Sequence, residues 1–383
     1  MAYEMVDIDV FAGAGGLAVG LRQAGFSPTQ FFEMDKHSCA TLQHNSTSRE
    51  STISGPVYDI DVQDIDWTCF KSSVRLLAAG TPCQPFSLAG KHLAENDGRN
   101  LFPEVIRAIR KLRPSAILLE NVKGLLRDSF RPYFEYILRQ LECPSVKPKK
   151  RELWNDHDRR IWRHQCSVGY EPEYQVKWRL LDAADFGVPQ LRQRVFIVAT
   201  RSDLPTYSFP STTHSRSALL RSQQSGEYWD RHGIPRSGVL ANNGTLFDSE
   251  DDKLPWTTVR EAFEGLPESA TDERKAWMNH WTIPGARLYR GHMGSSLDLP
   301  SKTIKAGVHG VPGGENTLVE YNGNVRYFTL RETARLQTFP DTHFFEGARM
   351  HVTRQIGNAV PCHLATAVAR PLYDFVSDKS HRV

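Results

Sequence analysis

Short apolar runs alternate with amphipathic helical patterns over the first 200 residues, and no other feature restricts the fold as strongly. The helical pattern is clearest over 101–112, where apolar side chains recur on one stripe. Strands that alternate with helices indicate βαβ units and a parallel sheet. The sequence therefore predicts an α/β domain, with strands over 5–11, 30–33, 57–60, 74–79, 116–120, 175–181 and 195–200.

The character of the chain changes at about residue 201. Through residue 325, Ser, Thr, Gly, Pro and Asn are frequent, helical periodicity is weak, and charges of the two signs nearly balance. Helical patterns return over 329–337 and 362–376. We expect an irregular second domain over 201–325, in which bulk positive charge does not act as a general phosphate clamp.

The composition excludes several classes of protein. With 40% hydrophobic and 24% charged residues over 383 positions, the chain is neither disordered nor fibrous. A net charge of +3 neither requires nor forbids a polyanionic partner. The six cysteines form no CxxC pair, so we expect no disulfide framework and no metal site. The sequence has no secretory signal and no apolar run long enough to span a membrane, which predicts a cytoplasmic protein without membrane contact.

A glycine-rich turn connects the first predicted strand to a helix that begins near Leu17. Gly13, Gly15 and Ala18 match the pattern G-x-G-x-x-G/A. Glu33 follows 20 residues after the first of these glycines. Small residues permit a tight turn and the close approach of a cofactor, and an acidic side chain after the second strand can bind ribose hydroxyls. The turn therefore predicts a nucleotide-like cofactor, either NAD or S-adenosylmethionine.

A cysteine flanked by prolines follows the predicted strand at 74–79. Pro82 and Pro85 restrict the backbone around Cys83, and this loop lies where open α/β sheets bind ligands. The thiol is a candidate nucleophile, because a small fraction of thiolate exists even at neutral pH. Glu120 ends the most apolar strand, where a carboxylate is costly unless it is paired or functional. A buried structural cysteine and a structural glutamate are the alternatives.

Six segments, in this order along the chain, resemble the cytosine-5 DNA methyltransferases. They are DVFAGAGG at 9–16, GTPCQPFS at 80–87, ENVKGL at 120–125, FGVPQLRQRVFIVA at 186–199, TLRETARLQTFPD at 329–341 and RQIGNAVP at 354–361. Together they span nearly the whole chain outside 201–325. The resemblance implies a Rossmann-like sheet of the S-adenosylmethionine-dependent methyltransferases with helices on both faces, plus a smaller, irregular target-recognition domain.

The resemblance also implies a reaction, the transfer of a methyl group from S-adenosylmethionine to C5 of a cytosine flipped out of a specific double-stranded DNA sequence. Cys83 would be the nucleophile that forms a covalent adduct with C6, and Glu120 would hydrogen-bond or protonate N3. Arg192 and Arg194 resemble the pair that grips the flipped nucleotide. Their alternation would place both guanidinium groups on one face of a strand.

For the cofactor, the resemblance implies a pocket formed by several loops. The residues that would line it are Phe11, Gly13, Gly16, Glu33, Met34, Asp61, Val62, Pro82, Leu101, Asn358 and Ala359. Glu33 would bind the ribose. For the adenine contact two registers stay open, Asp61 with Val62 or Asp64 with Ile65.

These segments also divide the chain. We expect an S-adenosylmethionine-binding catalytic domain at 1–200, a target-recognition domain at 201–325, a hinge at 326–344 and a return to the catalytic domain at 345–383. Gln84 and Ser87, beside the nucleophile, would contact DNA, and the second domain would read base edges. We expect a monomer, with a cognate restriction endonuclease as its functional partner.

Three other functions compete with this one. The tRNA-methylating branch of the family keeps the PCQPF loop, but its recognition region is generally shorter than 201–325. A catalytically silent DNA-binding relative would not need all four candidate catalytic residues. A nicotinamide-dependent dehydrogenase would explain the glycine-rich turn and leave PCQPFS, ENV and QLRQR unexplained. We therefore expect the protective methylase of a restriction-modification system, with a tRNA cytosine-5 methyltransferase as the main alternative.

A basic insertion at 143–165 separates Glu120 from the two arginines. It holds seven Lys and Arg against three Asp and Glu, together with two tryptophans. One interpretation is a solvated surface excursion with a little helix. The other is that the insertion contacts DNA phosphates flanking the recognition sequence through Lys147, Lys149, Lys150 and Arg151.

Overall fold

The computed structural model describes residues 5–27, 29–70, 73–82, 100–236, 252–272, 277–287, 294–307 and 316–377. The chain forms two compact units. The first comprises Met1–Leu181, Gln193–Pro210 and Ala365–Val383, and the second comprises Asp182–Arg192 and Ser211–Leu364. Residues 182–192 and 345–364 therefore fall in the second unit, whereas the sequence analysis assigns them to the catalytic domain.

A seven-stranded sheet forms the centre of the first unit. Its strands are β1 (Val6–Val10), β2 (Thr29–Glu33), β3 (Val57–Asp59), β4 (Val74–Gly80), β5 (Ala116–Val122), β6 (Tyr174–Asp182) and β7 (Gln193–Arg201), in the order β3-β2-β1-β4-β5-β7-β6. The first five pair in parallel, and β7 runs antiparallel to β5. Each predicted strand is confirmed, with ends shifted by one or two residues.

Helices occur in both units. In chain order they are α1 (Gly16–Ala24), α2 (Lys36–Thr47), α3 (Phe102–Leu112), α4 (Arg131–Glu142), α5 (Trp154–Gln165), α6 (Arg216–Ser225), α7 (Glu227–His232), α8 (Val259–Phe263), α9 (Leu330–Leu336), α10 (Arg349–Asn358) and α11 (Cys362–Ser377). The predicted apolar stripe of α3 is buried, and α3 and α4 share one apolar cluster with β1, β4, β5 and β7. The predicted class, a Rossmann-like parallel sheet flanked by helices, is confirmed.

The second unit has little regular sheet. Its strands are β8 (His214–Ser215), β9 (Leu254–Pro255), β10 (Ser295–Ser296), β11 (Thr317–Val319) and β12 (Val325–Tyr327), which form one three-stranded and one two-stranded sheet. Side-chain hydrogen bonds compensate for the short strands. Thr258 and Thr329 each form a capping box at the start of a helix. Buried Asp298 pairs with Arg260 at 2.8 Å and accepts a hydrogen bond from Tyr228.

Within the described ranges, no helix has the length and apolar character needed to cross a bilayer.

One glycine between α2 and β3 is required by the close approach of the backbone. Gly55 has φ +137°, and a Cβ there would lie 1.8 Å from the carbonyl oxygen of Thr29. We expect Gly55→Ala to destabilise the protein by about 2 kcal/mol or more, because strain and a backbone clash act together. Gly169→Ala is the control, since that position also has positive φ but nothing within 4 Å. Equal midpoints of thermal unfolding for the two variants would contradict this prediction.

Candidate active site

The glycine-rich turn leaves β1 through a strained residue. Phe11 has φ +57°, which is rare for a residue with a bulky side chain. Its side chain packs against the apolar cluster that contains Val62, and Leu101 packs against the same cluster. Gly13 follows with φ +53°, and a Cβ at this position would meet nothing within 4 Å. Gly16 is buried and begins α1. The turn therefore presents main chain to open space, as a site for an extended cofactor requires.

The carboxylate of Glu33 lies directly beside this turn. Its Oε2 accepts a hydrogen bond from Gly13 N at 2.8 Å. Its Oε1 accepts from Met34 N at 2.9 Å and from Asp35 N at 2.8 Å. Main-chain donors thus fix the acid at the carboxyl end of β2, and the adjacent Met34 side chain is 60% exposed. The structure brings these predicted cofactor residues together.

A second acid under the turn has no role in the sequence analysis. Asp9 is fully buried in β1, and within the described residues neither carboxylate oxygen has a hydrogen-bond partner. Burial, and secondarily the negative charge of Glu33, raise the pKa of Asp9 well above its usual value. Only its place inside an otherwise apolar strand signals it in the sequence. A hydrogen-bond donor or a cationic group would satisfy this buried carboxyl, and S-adenosylmethionine carries both kinds of group.

Both candidate registers for the adenine contact lie in one short turn after β3. Asp61 Oδ1 accepts from Gln63 N at 2.9 Å, and Val62 is buried. Arg107 of α3 donates to the carbonyl oxygens of Val62 and Ile65, each at 2.8 Å. The arginine therefore holds the whole turn against α3, and the choice of register stays a prediction.

The ends of β4 and β5 are joined by side chains. Asn121 donates to Thr81 Oγ1 at 2.8 Å, and Thr81 Oγ1 donates to the carbonyl oxygen of Glu120 at 3.3 Å. Half-buried Pro82 follows this junction. The junction is a positioning feature that sequence reasoning missed, although both residues lie in the segments GTPC and ENV. The predicted Cys83, Gln84 and Ser87 come next and lie outside the described residues.

Glu120 has a charged partner. Its side chain is 8% exposed, and Oε1 lies 2.8 Å from Nε of Arg194 on the neighbouring strand β7. Val122 faces Arg194 in the strand register, so the antiparallel pairing brings the guanidinium to the end of β5. The carboxylate at the mouth of a buried strand is thus paired, as the physical argument from sequence requires.

Arg192 has a different environment from the one expected. Arg192 lies one residue before β7, which begins at Gln193, and a strand face shared with Arg194 stays a prediction. Its fully buried guanidinium donates to the carbonyl oxygens of Ile304 at 2.9 Å, Gly357 at 2.7 Å and Ala359 at 3.1 Å. In this structure Arg192 therefore anchors main-chain segments of the second unit.

Two further cofactor candidates lie in the second unit. Asn358 is the exposed last residue of α10, and Ala359 follows it. The carbonyl oxygen of Ala359 also accepts from Gln337 Nε2 at 3.3 Å. A contact of these residues with the cofactor stays a prediction.

Known proteins resemble this chain in fold and sequence. The solved structures of Dnmt2 methyltransferases from Spodoptera frugiperda and S. pombe share its fold, with TM-scores of 0.57 and 0.56 at 16% identity; the aligned regions cover 97% of this chain and 100% and 99% of theirs. The Type II methyltransferase M.PspPI of a Psychrobacter strain is 31% identical over 97% of this chain and 79% of its own length. The Type II methyltransferase M.Eco47II of Escherichia coli is 32% identical over 95% and 77%.

A family model described as C-5 cytosine-specific DNA methylase matches residues 5–143 and 151–374. This match covers nearly the whole chain, and it includes all the elements that hold the glycine-rich turn, Glu120 and the two arginines. The chain therefore belongs to the C-5 cytosine-specific DNA methylases.

Proposed function

We propose that this methylase modifies one cytosine in a specific double-stranded DNA sequence as the protective enzyme of a restriction-modification system. The Glu120–Arg194 pair, beside the joined ends of β4 and β5, is the observation that carries the proposal. The similarity to Type II methyltransferases supports the biological setting. We further propose a monomer in the bacterial cytoplasm, with a cognate endonuclease as functional partner.

In the proposed mechanism, Cys83 acts on C6 of the flipped cytosine. The thiolate forms an S–C6 bond, and the electron pair of the C5=C6 double bond is delocalised to make C5 enamine-like. Glu120 assists by hydrogen-bonding or protonating N3, where negative charge would otherwise build up. S-adenosylmethionine supplies an electrophilic methyl group on its sulfonium. Once C5 has taken the methyl group, with the S–CH3 bond broken and a neutral thioether left behind, a base removes the C5 proton. The C5=C6 double bond then re-forms, the thiolate leaves and any proton on N3 returns to Glu120.

Arg194 and Arg192 would contribute in different ways. Arg194 would keep the Glu120 carboxylate oriented and balance its charge where both side chains are largely buried. Arg192 is a positioning residue, because its guanidinium holds the carbonyl groups of three separate residues. Gln84 and Ser87, next to the nucleophile in sequence, would contact the DNA around the flipped base.

The residues around the glycine-rich turn would hold the cofactor. Glu33 would exchange its contact with Gly13 N for the ribose hydroxyls, and exposed Met34 would pack on the adenine. The unpartnered Asp9 carboxyl would face the positively charged part of the ligand. The remaining predicted contacts are Phe11, Gly16, Asp61, Val62, Pro82, Leu101, Asn358 and Ala359.

The central test is to incubate the purified protein with S-adenosylmethionine and plasmid DNA, then map 5-methylcytosine by bisulfite sequencing. We expect methylation confined to one short sequence motif. Cys83→Ser should abolish turnover and leave the affinity for S-adenosylmethionine within about threefold, because a sulfur-to-oxygen exchange preserves size but removes the nucleophile. Loss of cofactor binding in that variant would indicate a structural cysteine. Cys83-dependent methylation of tRNA with none on DNA would contradict the proposed substrate.

Glu33→Gln tests the ribose contact. We expect S-adenosylmethionine to bind about 10- to 100-fold more weakly, since charged hydrogen bonds contribute about 1.5–3 kcal/mol. Isothermal titration calorimetry measures this change. Glu50→Gln, at an exposed acid beyond α2, is the matched control. Equal affinities of the two variants would remove Glu33 from the cofactor site.

Arg192→Leu tests the anchoring role. We expect it to destabilise the protein by about 3 kcal/mol, because buried carbonyl groups lose their charged donor. The midpoint of thermal unfolding should fall well below that of Arg163→Leu, a change at an exposed arginine of α5. A normal midpoint combined with lost methyl transfer would instead favour direct contact with the nucleotide.

A further inference from the structure

The acidic side chains of the basic insertion are all paired with arginines. Glu152 contacts Arg160 at 2.9 Å, Asp158 contacts Arg139 of α4 at 2.7 Å, and Asp156 pairs with Arg159. Within the part of the chain that the structure describes, its remaining cations have no ion-pair partner and are exposed; they are Lys147, Lys149, Lys150, Arg151 and Arg163. The insertion therefore presents uncompensated positive charge.

The loop that carries the lysines is held firmly. His157 is fully buried, and its Nε2 donates to the carbonyl oxygen of Val146 at 2.8 Å, while Nδ1 accepts from the hydroxyl of Tyr136 at 2.8 Å. Burial lowers the pKa of His157, which favours this neutral form. Arg160 also donates to the carbonyl oxygen of Lys147. Because the backbone is fixed in advance, less conformational entropy is lost when the lysines bind a partner.

One part of the insertion, the start of α5, lies beside the elements that carry the chemistry. Trp154, at the start of α5, packs edge-on against Tyr133 in the first turn of α4, with the two ring centroids 5.5 Å apart. The Tyr133 hydroxyl accepts a hydrogen bond from Asn100, the first described residue after the segment containing Cys83. The chain leading into α4 comes directly from β5, which carries Glu120. One chain of contacts thus links the start of α5 to this end of the sheet.

The lysines also lie where this chain departs from its family. The family model matches residues 5–143 and resumes at 151, so the loop with Lys147, Lys149 and Lys150 lies outside the match. The rest of the insertion, including α5, lies within it. The helix that supports the loop therefore lies within the family match, and the loop with the lysines lies in the stretch that the family model leaves unmatched.

We propose that the basic insertion binds the sugar-phosphate backbone of duplex DNA outside the recognised sequence. This inference rests on the proposed function, which brings a long polyanion to this end of the sheet. Duplex DNA carries a charge about every 1.7 Å along its axis, so closely spaced cations on a fixed loop meet several phosphates at once. Phosphate contacts carry no base information, so the insertion would raise affinity for any duplex and leave the choice of cytosine unchanged.

The test compares two charge-matched variants of the full chain. The insertion variant is Lys147→Gln with Lys149→Gln and Lys150→Gln. The control combines Arg49→Gln, Lys111→Gln and Lys177→Gln, three exposed cations outside the insertion that have no ion pair within the described ranges. Fluorescence anisotropy at several salt concentrations measures binding to a random-sequence duplex several helical turns long.

We expect the plot of log affinity against log salt for the insertion variant to flatten by about 0.9 per lost phosphate contact, or ~2.7 for three. The control should keep the slope of the parent protein. An unchanged slope, or equal flattening in both variants, would overturn the proposal, since the latter is a general effect of net charge. It would also fail if the insertion variant lost affinity only for single-stranded RNA, on which exposed Trp162 could stack.

The methylation assay separates this proposal from the proposed function. At saturating plasmid concentration, the insertion variant should methylate the same motif at the parental rate. A change of motif would overturn the inference, because it would mean that the insertion reads bases. If the parent methylates no DNA, the proposed function fails, whereas the salt slopes still report on binding by the insertion.

Discussion

The parallel pairing of β1, β4 and β5 is the constraint on which the rest of the first unit depends. It gathers three carboxyl ends at one edge, so the glycine-rich turn, the segment after Pro82 and Glu120 come from neighbouring strands. The bond between Asn121 and Thr81 then fixes two of these ends to each other. Antiparallel β7 places the guanidinium of Arg194 at the same edge, because Arg194 lies near the start of β7 and faces Val122 at the end of β5. A single sheet topology thus assembles groups that are far apart in sequence.

Buried acids are handled in two different ways around this sheet. Asp7 in β1 has the bidentate partner Arg75, and Glu120 has Arg194. Asp9, two residues after Asp7 in β1, has no hydrogen-bond donor within the described residues. Burying an unpaired carboxylate is unfavourable, so Asp9 gains more from a cationic ligand than a solvated acid would. The fold therefore leaves one acid unsatisfied at the place where the cofactor is proposed to bind.

The sequence predicts those features that depend on local pattern. Alternating apolar runs locate all seven strands, and the apolar stripe of 102–112 locates α3. Helix α2 escapes this reasoning because most of its buried side chains are small or polar, among them Ser38, Thr41 and Asn45. Three-dimensional surroundings decide the other cases. Alternate spacing suggests similar roles for Arg192 and Arg194, but Arg194 pairs with Glu120 whereas Arg192 meets main-chain carbonyl groups.

The same limit applies to partners that lie far apart in the chain. No local pattern indicates that Arg192 meets carbonyl groups more than a hundred residues away, or that Asp9 lacks a donor. The pairing of Glu120 is different, because its need for a cation follows from burial alone, although the identity of the cation does not. The sequence can thus predict that a buried charge needs a partner even where it does not identify the partner residue.

The clamp of His157 between Tyr136 and Val146 has a consequence for how such an enzyme could diversify. It holds a short surface loop on a scaffold whose strands and helices do not depend on the loop's outward side chains. Mutations there can accumulate without disturbing the core. Non-specific affinity for DNA and recognition of its base sequence could then evolve independently within one chain. The loop, moved to another protein, would confer only the non-specific affinity.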